Sequence, residues 1–341
     1  MSNDGFDPCR QLPYLNLNYR THQIKILKRD KHTRIEGIYT EKRFEQEIIA
    51  PSFSQYSTGW WFAKNAGSYR IYKLMFGDAL LSELDFSLLQ HFHRHRVPIV
   101  VVGFHAASKS FHGLPFRHHS KSDFVRDWHL HQSPLSRPDT VPALPDQDQR
   151  NASRLQRAIQ LLEGLEALKA TALERIFANC FLREKYCWDL DGMVLHNGQP
   201  VALEVKQKFP HKGGSFGLNN GLYNLFCFLR KLNIRVAHVI LTKSVWDDRL
   251  SATDFFLKED LAKACQWIAC EFDADKFSGQ RTAPKKTSIY NSGKIRFRNI
   301  ALHHFHLLHS LGQPQEKRLE DFLDGHTCAL TGVEDLTKVE V

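Results

Sequence analysis

Two carboxylates and a lysine, Asp191, Glu204 and Lys206, bracket an Asn197-Gly198 dipeptide, the strongest short signal for a two-residue hairpin turn. With these two as the central turn residues, His196 faces Gln199, Asp191 faces Glu204 and Asp189 faces Lys206. Period-two alternation then gathers Asp189, Asp191, Glu204 and Lys206 on one face, with Leu203 and Val205 on the other. Carboxylates directly opposed across a ladder have Cβ atoms about 5 Å apart and repel. A divalent cation offsets that repulsion. Mg²⁺ or Mn²⁺ suits the site, being held by carboxylates together with water and phosphate oxygens. Lys206, one step along the same face, could hold or deprotonate an attacking water, or offset charge on a phosphoryl group. An exposed hairpin with salt bridges would account for Asp189 opposite Lys206, but less well for Asp191 opposite Glu204.

The elements that must position these groups read as a mixed α/β core. Ala152–Leu182 carries a nearly continuous apolar stripe and predicts a long helix, with a break at Gly164 or near Thr171. Tyr186–Leu195 and Pro200–Lys206 are strand-like, Gly217–Leu232 is helical, and Arg235–Thr242 is a buried strand. Upstream, Tyr14–Tyr39 reads as short strands, Thr40–Ile49 as a helix capped by Thr40, Asp78–His95 as a helix and Pro98–Phe104 as a strand. Residues 132–150 hold four prolines among Ser, Asp and Gln, which reads as a linker. The expected organisation is an N-terminal α+β domain over 1–131, the linker over 132–150, a catalytic core over 151–275, and a basic extension with an acidic tail over 276–341. Within that extension, Ser288–Tyr290 and Lys294–Ile300 predict a hairpin around Ser292-Gly293, followed by a histidine-rich helix over Ile300–Leu311.

An Asp on one strand, Glu-x-Lys on the next (Glu204-Val205-Lys206), then a helix and a strand resembles the PD-(D/E)xK nuclease superfamily. The resemblance spans about 152–248, with Leu190 where that motif often has proline. It implies a restriction-endonuclease-like mixed central sheet flanked by helices, and a metal-dependent DNA endonuclease. Asp191 and Glu204 would bind the metal, and Lys206 would assist the attacking water. A further acid from the first helix is implied; Glu174 is the expected residue, with Glu45 and Glu47 as rivals. Restriction, transposition and phage defence fit such an activity. A ribonuclease, or a non-catalytic nucleic-acid-binding protein on the same fold, are the alternatives.

The charge pattern agrees with a polyanionic partner. Net charge is +9, and residues 205–246 and 276–315 each contain seven Lys or Arg and no acid. Lys208, His211, Lys212, Lys285, Lys286, Lys294, Arg296 and Arg298 are the expected nucleic-acid contacts. The alternating and third-residue histidines, His91, His93, His95, His303, His306 and His309, lack completing ligands and read as surface or phosphate-contacting groups. DNA is the expected partner, with a partner protein or a homodimer also compatible. The seven scattered cysteines argue against a disulfide framework and suit a reducing cytoplasm. No apolar run approaches the roughly 20 residues that span a bilayer, so no membrane association is expected.

Overall fold

The computed structural model describes residues 7–65, 67–76, 81–136, 151–182, 186–211, 214–243, 250–284, 294–311 and 318–336. They form two compact units, each assembled from separated stretches: Met1–Tyr39 with Ser57–Asp191, and Thr40–Tyr56 with Gly192–Val341. These borders differ from the expected ones at residues 131, 150 and 275. The reason is long-range burial: Phe44, Ile48 and Ile49 join the core of the second unit, beside Val194, Val205 and Trp267. Of the expected linker, Ser133–Pro134 forms a short edge strand, and residues 137–150 lie outside the described residues.

Among the described residues, the first unit holds six strands: β1 Trp60–Asn65, β2 Ser68–Leu74, β3 Ile99–His105, β4 Ser110–Pro115, β5 Ser133–Pro134 and β6 Tyr186–Leu190. They lie in the order β5-β4-β3-β2-β1-β6. Only β2 and β3 run parallel, the other pairs being antiparallel. Tyr14–Tyr39 is helical rather than extended, with helices at Arg20–Leu27 and His32–Phe44. Ile35, Ile38 and Tyr39 are all buried, and their spacing marks one face of a helix. Thr40 is therefore a buried residue inside a helix, not its cap. Glu83–Arg94 forms the helix expected over Asp78–His95, capped by Ser82, whose Oγ accepts the Asp85 N–H at 3.0 Å. The long helix divides into Ala152–Gly164 and Leu168–Phe181. Glu166, at φ 54°, takes the left-handed conformation that stops a helix. Arg175 and Asp30 form a buried ion pair. Cys9 and Cys180 are joined by a disulfide between the short helix Pro8–Gln11 and Leu168–Phe181, a pairing that scattered spacing had argued against.

The second unit contains β7 Gly192–His196, β8 Gln199–Lys208, β9 Ser215–Asn219, β10 Arg235–Thr242, β11 Gln266–Glu271, β12 Ser278–Pro284, β13 Lys294–Ala301 and β14 His306–Ser310. Five of them form a mixed sheet, β14-β11-β10-β8-β7, and three form a smaller one, β12-β13-β9. Strand β8 is an inner strand, antiparallel to β7 at the edge and parallel to the central β10. Val201, Leu203, Val205, Val239 and Leu241 bury one face of the larger sheet against Phe44, Ile48 and Phe255. On the opposite face, Phe226 of helix Asn220–Lys231 packs on His238 of β10. That helix starts three residues later than expected, because Gly217–Asn219 belongs to β9. Asn219 caps it, Oδ1 accepting the Gly221 N–H at 2.7 Å. The expected helix over Ile300–Leu311 is instead a short 3₁₀ turn, Leu302–His304, and strand β14, whose Leu307 and His309 register with Ile268 and Trp267 of β11. Strand β13 pairs with β12 and β9; Ser288–Tyr290 and Ser292-Gly293 of the expected hairpin lie outside the described residues. Among the described residues, no helix is long and apolar enough to cross a membrane.

Candidate active site

Asn197 and Gly198 both adopt positive φ, 51° and 76°. This is the backbone of a type I′ hairpin turn, whose twist matches that of its strands. The turn sets the expected register: His196↔Gln199, Val194↔Val201 and Gly192↔Leu203 are paired, and the ladder ends there. Asp191, 9% exposed, is the next residue back along the chain and the last of the first unit. At Gly192 a Cβ would fall 2.1 Å from the Tyr56 ring, so the position has no room for a side chain.

Asp189 does not continue the hairpin. It lies on β6, in register with Trp61 of β1, so it does not oppose Lys206 as expected. The run Tyr186–Leu195 reads as one strand locally, but β1 takes up its first half and β8 its second. The change of partner falls at Asp191.

Glu204 is 1% exposed, and its Oε1 lies 2.7 Å from Lys206 Nζ. Lys206 retains partial access to water. The alternation of β8 places Glu204, Lys206 and Lys208 on the face away from Val201, Leu203 and Val205. The register partner of Glu204 on β10 is His238, which is fully buried. Its Nδ1–H donates to the Glu204 carbonyl at 3.3 Å, and its ring lies near Phe226 and Phe305. Burial, reinforced by the charges of Lys208 and Lys206, holds His238 well below the usual histidine range and therefore neutral. His238 did not stand out from the sequence; the available signal was a single imidazole inside the apolar run Val236–Leu241.

Lys208 is part of β8 rather than of a free basic loop. Its Nζ donates to the Gly217 carbonyl, which ties β8 to β9. Burial and the nearby Lys206 charge lower Lys208 to about 8, against the attraction of Glu204.

The candidate helix acids take different places. Glu174 belongs to the first unit, where its Oε1 accepts the Trp61 indole N–H at 3.2 Å. Glu45 pairs with Lys42 at 2.7 Å. Glu47 accepts from Arg43 and, at 2.8 Å, from the Trp267 indole. Trp267 lies with Val205 and Leu241 in the core, so Glu47 packs on the sheet face opposite to Glu204 and Lys206.

Of the expected nucleic-acid contacts, Lys294, Arg296 and Arg298 lie on β13. Arg296 is exposed, and the Arg298 guanidinium lies 3.9 Å over the Tyr223 ring. His211 stacks on Phe297, with ring centroids 6.1 Å apart. Lys212, Lys285 and Lys286 lie outside the described residues. Among the described residues, no three His, Cys, Asp or Glu side chains converge as a metal-binding group. No family model matches the sequence, no similar curated protein is found, and no similar solved structure is found.

Proposed function

We propose that this chain is a metal-dependent DNA endonuclease of the restriction-endonuclease-like kind. Asp191 and Glu204 are its metal-binding carboxylates, and Lys206 is the group beside the attacking water. The observation that carries this reading is the buried Glu204 with Lys206 at 2.7 Å, on a strand that leads to a helix and a parallel strand β10. The β7–β8 ladder ends at the Gly192–Leu203 pair, and Asp191 and Glu204 are the residues that follow it on the two sides of the hairpin sequence.

The donor chemistry fits a hard cation. Two carboxylates with no thiolate or imidazole suit Mg²⁺ or Mn²⁺, which take one or two protein carboxylates and complete their shell with water and phosphate oxygens. Bound there, such an ion lowers the pKa of a coordinated water and offsets the charge of the phosphoryl group. The chain supplies the rest. The β8–β10 ladder and the His238 donation to its own carbonyl hold Glu204 in place. Lys206 presents an ammonium to partly open solvent, where it can hold a water or face a phosphate oxygen. Glu174, Glu45 and Glu47 are each engaged elsewhere, so the reading rests on two acids and a lysine.

A second reading takes the same contact differently. Lys206 closes on Glu204, as a non-catalytic nucleic-acid-binding protein on this framework would have it. Incubating the purified protein with plasmid, linear DNA and RNA, with and without Mg²⁺, separates the readings. Cleavage of DNA only with Mg²⁺, reduced about 10²- to 10³-fold by Lys206→Ala, is the expected result. Cleavage undiminished by that substitution would sink the assignment, and cleavage of RNA alone would make the protein a ribonuclease. A partner protein or a homodimer would extend this core.

A further inference from the structure

Strands β9, β12 and β13 contain no Asp or Glu, while Arg281, Lys294, Arg296 and Arg298 all lie on β12 or β13. On this small sheet, exposed His211 stacks on half-buried Phe297 with an angle of 27° between the rings. Both rings lie over Gly217. A Cβ there would approach Phe297 Cδ2 to 3.2 Å and His211 Nε2 to 3.5 Å, so glycine forms the floor of the stack. The carbonyl of that same glycine accepts Lys208 Nζ. The aromatic stack is thereby fastened to the strand that carries Glu204 and Lys206. At about 3.3 Å per residue, Lys208 stands roughly 13 Å along β8 from Glu204. Phe209, two residues before His211, leaves a large apolar ring 38% exposed at the end of the same strand.

Water-facing aromatics on an acid-free, arginine-bearing sheet match one ligand chemistry: bases that present their faces, on a chain of phosphates. A duplex keeps those faces inside its own stack, whereas an unpaired strand offers each of them. The 6.1 Å spacing leaves no room for a base between His211 and Phe297, so a base extends the stack on the outer face of His211. We infer that the His211–Phe297 stack is a base platform for single-stranded nucleic acid, which feeds an unpaired strand along β8 towards Lys206. Only the last step, delivery to a cutting site, rests on the nuclease reading.

The test measures binding in EDTA, by fluorescence anisotropy of a labelled 20-nucleotide DNA against its duplex. The full-length chain should bind the single strand about tenfold more tightly than the duplex. His211→Ala should weaken single-strand binding by about 5- to 100-fold, the value of one base–aromatic stack. His211→Tyr should restore it, and duplex binding should change under neither substitution. The inference is overturned if His211→Ala and Phe297→Leu both bind the single strand as the parent does, or if the duplex binds equally well. Adding Mg²⁺ then separates the two ideas. Platform binding with no cleavage of any substrate would remove the nuclease reading alone. Duplex cleavage that is indifferent to His211→Ala would remove the platform alone.

Discussion

Each unit contains a lysine held against a carboxylate, and the two arrangements differ in what surrounds them. In the first unit, Lys73 is 4% exposed, lies 2.8 Å from Asp85, donates to the Thr58 carbonyl, reaches Ser57 Oγ at 3.3 Å and sits over the Trp60 ring. Protein groups enclose that ammonium, and burial lowers its pKa despite the attraction of Asp85. In the second unit the burial is reversed: the acid Glu204 is enclosed, while the lysine Lys206 keeps access to water. An enclosed lysine holds a fold together. A half-open lysine on an enclosed carboxylate can exchange its partner for a ligand.

The comparison is sharpened most by removing each lysine. Lys73→Ala leaves Asp85 charged without its main cation and should cost about 3–5 kcal/mol of stability, read from the urea midpoint, with Mg²⁺ making no difference. Lys206→Ala in EDTA should cost less, about 1–2 kcal/mol, because that lysine is partly solvated. Here Mg²⁺ should restore the melting temperature, since a cation bound to the folded form stabilises it by mass action. Equal rescue of both variants, or of neither, would abolish the distinction.

The last effect concerns Lys208. Its pKa of about 8 lies below the ordinary 10.5. Between these values the unfolded chain holds a proton that the folded chain has released, so stability should rise as pH climbs through that window. Lys208→Met should flatten this rise in a series of thermal melts from pH 7 to 11. A slope unchanged by the substitution would mean that the ammonium is better solvated than its bond to the Gly217 carbonyl implies.

What could be read from the sequence was local. Asn197-Gly198 determined its turn through two positive φ values, and the register followed. Strand β10 announced itself by an unbroken apolar run. What could not be read was competition from distant segments. Nothing near Tyr186–Leu190 says that Trp60–Lys64 will claim it, which is why Asp189 was placed opposite Lys206. His303, His306 and His309 recur every third residue as on a helix, yet β11 offers an edge that makes the segment a strand. Cys9 and Cys180 meet across 171 residues, beyond the reach of any spacing rule. That Glu204 and Lys206 share a face was legible because both lie on one strand, though not that they pair; the neutral His238 beside them was not, because its burial depends on Phe226 and Phe305.

The segment Thr40–Tyr56 has a consequence for how this protein is made. It emerges from the ribosome well before Gly192, and at 5–20 residues per second the delay is on the order of 10 s. During that interval Phe44, Ile48 and Ile49 have no β7, β8 or β10 to cover them. A gene fragment cut at the proline-rich stretch, however natural that boundary looks, would leave the C-terminal half without this insert and Trp267 without Glu47. The chain is thus a poor subject for dissection by single truncation, and an early-exposed apolar segment makes it a natural client for chaperones during synthesis.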